Sequence, residues 1–190
     1  MPPEIDVIEE ICVVAGEEIV LSVVATDPDV PVQEIELTAL GGPFQVTDPA
    51  TFNAPTGFQS QPIISEFRWQ TTCEHISSQF YTVVFRAVDN FDPGLADLKT
   101  VRIKVVGPPP ENVTAVAEED VVVISWDAPY TCEDAADDYF RTFTVWRRIG
   151  SNQFPIDTCI PGLDGRGYEQ ITFATRDIVD GRYTLSLIHI

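Results

Sequence analysis

Five oxygen-bearing side chains stand at the ends of two alternating apolar runs. Asp27 and Asp29 close "EEIVLSVVATDPD", and Asp89, Asn90 and Asp92 follow "FYTVVFRAV". A calcium ion takes roughly six to eight hard oxygens, which carboxylates and loop carbonyls supply. If the two run ends meet at one pole, these five groups converge, and calcium is the candidate cofactor. The competing reading is turn formation, because Asp before Pro and clustered Asp-Asn are ordinary turn chemistry.

Other chemistries find less to work with. His75 and His189 are the only histidines. A nucleophilic site would need a histidine base, and His75 in "TTCEHISS" reads as an exposed loop residue. The sequence holds no G-x-S-x-G, Gly-rich phosphate loop or H-E-x-x-H. Carboxylates are too widespread to single out a glycosidase pair. The expectation is therefore a protein that is not an enzyme. Trp69 and Trp126 read as core residues. Trp146 falls on the opposite face from Phe143, where it can stack on Arg148 or contact a ligand.

Cys12, Cys73, Cys132 and Cys159 are the four cysteines. None forms a C-x-x-C pair, so zinc and thioredoxin-type spacings are absent. Three pairings are open. A split of the chain into halves favours Cys12–Cys73 and Cys132–Cys159. Bridged cysteines place the chain in an oxidising compartment; four buried free thiols are the alternative.

Thirty acidic residues against 11 basic ones give a net charge of −19. Both parts share it, with 16 acidic and 5 basic residues in 1–107 and 14 and 6 in 108–190. Such a surface repels phosphate backbones and anionic lipid, so nucleic acid is not an expected partner. No apolar run approaches the roughly 20 residues of a membrane helix, which argues against direct membrane insertion. The opening "MPPEIDVIEEICVV" has no basic region and too short an apolar run for a signal peptide. An extracellular domain without one is expected to be a piece of a longer protein.

The groups above must be carried by strands. Period-two alternation recurs and helical periodicity is nearly absent. "EIELTAL" sets Ile35, Leu37 and Ala39 against Glu34, Glu36 and Thr38. "FYTVVFRAV" puts Tyr81, Val83, Phe85 and Ala87 on one face, and "KTVRIKVV" does so with Val101, Ile103 and Val105. After the spacer "VVGPPPENV", whose prolines favour a stiff extended linker, strands resume. They are "VTAVAEED", "VVVISWDAP" with Val122, Ile124 and Trp126 together, "FRTFTVWRR" and "YEQITFAT", with "YTCEDAADDYF" as an acidic loop. Short strands between turn clusters predict an all-β protein of two tandem β-sandwiches, at 1–107 and 108–184.

"PPPENVTAVAEEDVVVISWDAP" with "YFRTFTVWRR" resembles a fibronectin type III domain. "YTCED" and "DTCIPGLDGRGY" add the look of the disulfide-bearing version found in long surface proteins of Bacteroidota. The first half, with "AGEEIVLSVVATDPD", "LGGPF", "FRWQTTC" and "YTVVFRAVDNFDPG", resembles cadherin-like or Ig-like modules. The resemblance implies a cell-surface or extracellular location and a role in adhesion or gliding motility, with export by the type IX system. The proline spacer replaces the acidic linker that cadherin-type modules use.

A fibronectin-type domain needs two more strands after "YEQITFAT", and "GRYT" looks like the start of one. The codons CTG TCT CTT ATA CAC ATC encode "LSLIHI" and match a transposase end used in library preparation. Residues 185–190 are therefore expected to be a non-native tail and the second sandwich to be truncated. The functional expectation is a non-catalytic spacer and interaction module of a large secreted or surface protein. Its partners would be neighbouring modules and a protein or polysaccharide surface ligand. The alternative is a carbohydrate-binding accessory segment of a secreted polysaccharide-degrading enzyme.

Overall fold

In a computed structural model of the chain, residues 1–134, 140, 142–150, 159, 162–174 and 178–188 are described. The chain divides into two compact units, Met1–Val106 and Gly107–Ile190. Both are built from strands, as the alternation predicts.

Unit 1 contains β1 (Glu4–Asp6), β2 (Glu10–Val14), β3 (Glu18–Thr26), β4 (Glu34–Gly41), β5 (Thr51–Phe52), β6 (Gln59–Ser60), β7 (Ile63–Gln70), β8 (Tyr81–Asp89) and β9 (Ala96–Val106). They form two sheets, β1-β3-β7-β5 and β2-β9-β8-β4-β6. Side chains alternate across each strand, so one sheet contributes Leu21, Val23, Phe67 and Trp69 to the core, and the other Leu37, Phe85, Ile103 and Val105. Phe67 and Phe85 meet edge to face at 6.1 Å, a favoured aromatic geometry. Val83, Phe85, Ala87, Val101 and Ile103 are all buried, on the faces that the alternation assigns to them. Tyr81 is half-buried at the start of its strand, with its ring 5.0 Å from Trp69.

Most pairings in unit 1 are antiparallel. The exception is β2, which runs parallel to β9 in register from Glu10↔Arg102 to Val14↔Val106. The entering chain therefore touches both sheets, through β1 on β3 and β2 on β9. At the end of β4, Gly41 has φ 152°, and a Cβ there would lie 2.1 Å from the Thr82 carbonyl oxygen. Only glycine fits where β4 closes on β8.

Unit 2 contains β10 (Thr114–Glu118), β11 (Val121–Asp127), β12 (Phe143–Arg147), β13 (Glu169–Ala174), β14 (Ile178–Val179) and β15 (Arg182–Ile188). Its sheets are β10-β11-β15-β14 and the pair β12-β13. Leu185–Ile188, within the expected non-native tail, continue β15, and Leu185 pairs with Ile124 and Leu187 with Val122. The core gathers on Trp126 and Tyr183, with Ile124, Tyr130, Phe143 and Leu185 partly buried around them. Trp126 stacks on Tyr183 at 5.8 Å and meets Phe143 edge-on at 4.8 Å. The proline spacer is pinned to this unit, because the Tyr130 hydroxyl donates to the Pro108 carbonyl at 2.6 Å. The middle of the expected acidic loop, at 135–139, lies outside the described residues.

Candidate functional site

Strand ends place the five candidate oxygen ligands, and they split into two groups. Asp27 follows β3 and is 7% exposed; Asp89 ends β8 and is 2% exposed. Each uses one carboxylate oxygen to shape its own turn. Asp27 Oδ1 accepts the Asp29 amide at 2.8 Å. Asp89 Oδ1 accepts the amides of Phe91 at 3.2 Å and Leu95 at 2.9 Å. The other oxygen of each, Oδ2, is buried with no hydrogen-bond partner among the described residues. Burying such an atom unpaired is costly.

Asp29 completes the first group. Its carboxylate pairs with the Met1 ammonium. That ammonium is held above the ordinary α-amino range, first by its hydrogen bond to Asp29; loss of hydration, the next largest influence, opposes this, and the charges of Asp29, Asp27 and Asp89 reinforce it. Three carboxylates from two strand ends thus share one pole and act on one cation.

Asn90 and Asp92 do not join them. Asn90 Oδ1 accepts the Glu34 amide at 3.1 Å, and its Nδ2 donates to the Glu34 carboxylate at 3.4 Å. These contacts bind the turn after β8 to the start of β4. Asp92 is exposed in that turn. Among the described residues, no group of three or more His, Cys, Asp or Glu side chains is gathered in a ready metal site. The pole therefore offers two orphan carboxylate oxygens rather than a finished coordination shell.

His75 departs from the expected exposed loop residue: it is 1% exposed. Its Nδ1 accepts the Thr72 amide at 2.9 Å, and its Nε2 lies 2.7 Å from the Thr47 carbonyl oxygen. A backbone carbonyl only accepts, so Nε2 carries the proton. The ring also packs on Trp69 at 4.9 Å. Both nitrogens are committed to backbone, which leaves neither free to act as a base. His189 lies outside the described residues.

All four cysteines are disulfide-bonded, Cys12 and Cys73 in unit 1 and Cys132 and Cys159 in unit 2. No family model matches the chain, and no curated protein matches it. Solved structures give distant likenesses. The sialic acid binding region of a Streptococcus sanguinis SK1 adhesin is 15% identical over 66% of this chain and 44% of its own length, with a TM-score of 0.43. The SrpA adhesin from Streptococcus sanguinis is 18% identical over 78% of this chain and 82% of its own, at 0.42. A GspB Siglec domain is 15% identical over 63% and 66%, at 0.39. Likenesses this remote assign this chain neither a family nor a role.

Two aromatic features fall outside the alternation argument. Phe80 carries Arg102 at 4.0 Å and Lys104 at 5.5 Å from its ring centre. The outward positions of Arg102 and Lys104 were legible in "KTVRIKVV", but nothing in the sequence placed Phe80 beneath them. In unit 2, Arg148 lies 5.9 Å over the Tyr168 ring rather than on Trp146. Trp146 donates its indole N–H to Thr144 Oγ1 at 3.0 Å instead. It borders an apolar cleft of about 240 Å³ with Pro110, Val113, Ile124, Trp126 and Leu163. Trp126 Nε1 is buried without a partner among the described residues.

Proposed function

We propose that this chain is a non-catalytic spacer and interaction segment of a secreted or cell-surface protein, serving adhesion or gliding motility. The observation that carries the reading is that every cysteine is disulfide-bonded in an all-β chain. Thiols survive reduced in the cytosol and are bridged outside it. The burial and full backbone engagement of His75 supports a structural rather than catalytic use of that residue. Neighbouring modules of the parent protein and a surface ligand are its partners in this reading. Protease shaving of intact source cells tests it: peptides of this chain should appear in the supernatant before lysis. Their appearance only after lysis would overturn the extracellular assignment.

The carbohydrate-binding alternative draws on Trp146 and the cleft beside it. A polysaccharide array probed with the full chain separates the two readings. Retention that is lost in Trp146→Ala would favour the alternative.

Calcium at the acidic pole of unit 1 is a proposal of the same standing. Its support is the pair of orphan oxygens, Asp27 Oδ2 and Asp89 Oδ2, with Asp29 alongside. These residues would hold the ion, with backbone carbonyls and water filling the shell. The ion would neutralise like charges held at two strand ends.

A further inference from the structure

The parallel pairing of β2 with β9 determines how unit 1 responds to tension. β2 lies near the start of the unit and β9 ends it at Val106. Because the strands are parallel, the chain enters the ladder at the Glu10 end and leaves it at the Val14 end, beside Val106. Tension between the incoming and outgoing chain therefore draws the two strands past each other along their own axes. Hydrogen bonds bracket the ladder, from the Arg102 amide to the Glu9 carbonyl at 2.8 Å and from the Ala15 amide to the Val106 carbonyl at 2.8 Å. In this geometry the bonds share the load and fail together. An antiparallel hairpin pulled from its open end breaks them singly. Val13, Ile103, Val105 and Val106 are buried along the ladder, which limits replacement of its bonds by water.

We propose that unit 1 bears load, with the β2–β9 ladder as its mechanical clamp. β1 is the element upstream. It holds β3 through three residue pairs, so it yields first and lengthens the chain by roughly 30 Å. The clamp then carries the load. Cys12 sits within it, opposite Lys104, and is a disulfide half. With Cys73 as its partner, residues 13–72 form a covalent loop that tension cannot extend. Clamp failure would then release roughly 120 Å of chain, against roughly 340 Å after reduction, at about 3.5 Å per residue.

The proposal takes its biological use from the spacer reading, but its geometry stands without it. A weak clamp would leave the shaving result untouched, and the reverse also holds. The test is single-molecule pulling of the full 190-residue chain, with forced unfolding reading the unfolding barrier directly. One pair of handles is placed at the N-terminus and at Pro109. A second pair is placed at Gln79 and Pro109, which opens β8–β9 from one end, since Tyr81 pairs with Ile103. The first geometry should require a several-fold higher rupture force, after a short early extension. Ile11→Pro should lower that force towards the second value, because the ladder alternation turns the Ile11 amide towards β9 and proline removes it. The native chain in two geometries keeps the test valid if that variant fails to fold. Equal forces in the two geometries would overturn the clamp. A release that is the same before and after reduction would overturn the Cys12–Cys73 restraint.

Discussion

Unit 1 closes its core between sheets of four and five strands, whereas the described part of unit 2 sets four strands against two. Unit 1 buries Trp69, Phe67, Phe85 and 17 aliphatic side chains, alanines included. Unit 2 gathers on Trp126 and Tyr183, and the aromatic and aliphatic residues around them keep part of their surface in water. Both units are built from strands around an aromatic centre and carry a pair of disulfide-bonded cysteines. Patterning selects the fold class, but area taken out of water stabilises it, at about 25 cal/mol per Å². The two units should therefore differ in autonomy more than in architecture.

Separation of the units should give the largest contrast. Residues 1–107 expressed alone should be soluble and melt in one cooperative transition. Residues 108–190 alone should aggregate or melt without cooperativity, because β12 pairs only with β13 among the described residues and leaves an edge open. A sharp calorimetric transition from 108–190 would remove the contrast.

Core truncation should come next. Phe85→Ala should cost unit 1 about 3–5 kcal/mol, as large-to-small changes at buried aromatics do. Denaturant melts of the full chain should show that loss in one transition only. If both transitions move, the units are not energetically separate.

Disulfide reduction sharpens the comparison at a similar scale. With within-unit pairing, loop entropy assigns roughly 4 kcal/mol to Cys12–Cys73 and roughly 3.5 kcal/mol to Cys132–Cys159. The described part of unit 2 buries less core, so mild reductant should unfold unit 2 at a concentration where unit 1 survives. Non-reduced peptide mapping checks the pairing itself, and any Cys12–Cys132 peptide would contradict it.

Calcium should act on unit 1 alone. An ion that binds only the folded state adds roughly 2.7 kcal/mol at a hundredfold excess over its dissociation constant. For a domain of this size that raises the melting temperature on the order of 10 °C or more. Asp27→Asn with Asp89→Asn should abolish the shift. Equal midpoints in calcium and in chelator would leave these aspartates as turn formers.

The smallest effect concerns the Met1 ammonium. Its folded pKa is raised above its unfolded value. Its contribution is therefore fully present below the ordinary α-amino pKa and is lost as pH rises through the folded one. Unit 1 should weaken slightly on the alkaline side of neutrality while unit 2 does not respond. An N-acetylated chain should lack that slope.

Sequence and structure agree best where alternation is strict. Val101, Ile103 and Val105 are legible in "KTVRIKVV" because Lys and Arg mark the other face. β7 is less so, since Ser65 interrupts its inward row of Ile63, Phe67 and Trp69. β2 is five residues long and pairs parallel, with partners just over ninety positions away that no local signal indicates. That Asp27 and Asp89 both act on the Met1 ammonium follows from strand ends sharing a pole. The departure of Asn90 does not, because it depends on side-chain bonds to the Glu34 amide and carboxylate. His75 was misread because loop composition says nothing of what packs over it; Trp69 and Thr47 do.

Two ring nitrogens reach out to consecutive carbonyls in unit 1. His75 Nε2 meets Thr47, and Trp69 Nε1 donates to Asp48 at 3.2 Å. Both protons are buried, so neither can exchange with solvent until the Thr47–Asp48 segment lifts away. In a proton NMR spectrum they should persist as two slowly exchanging ring signals. Their shared decay rate in heavy water would time that local opening, separately from the backbone amides of the strands.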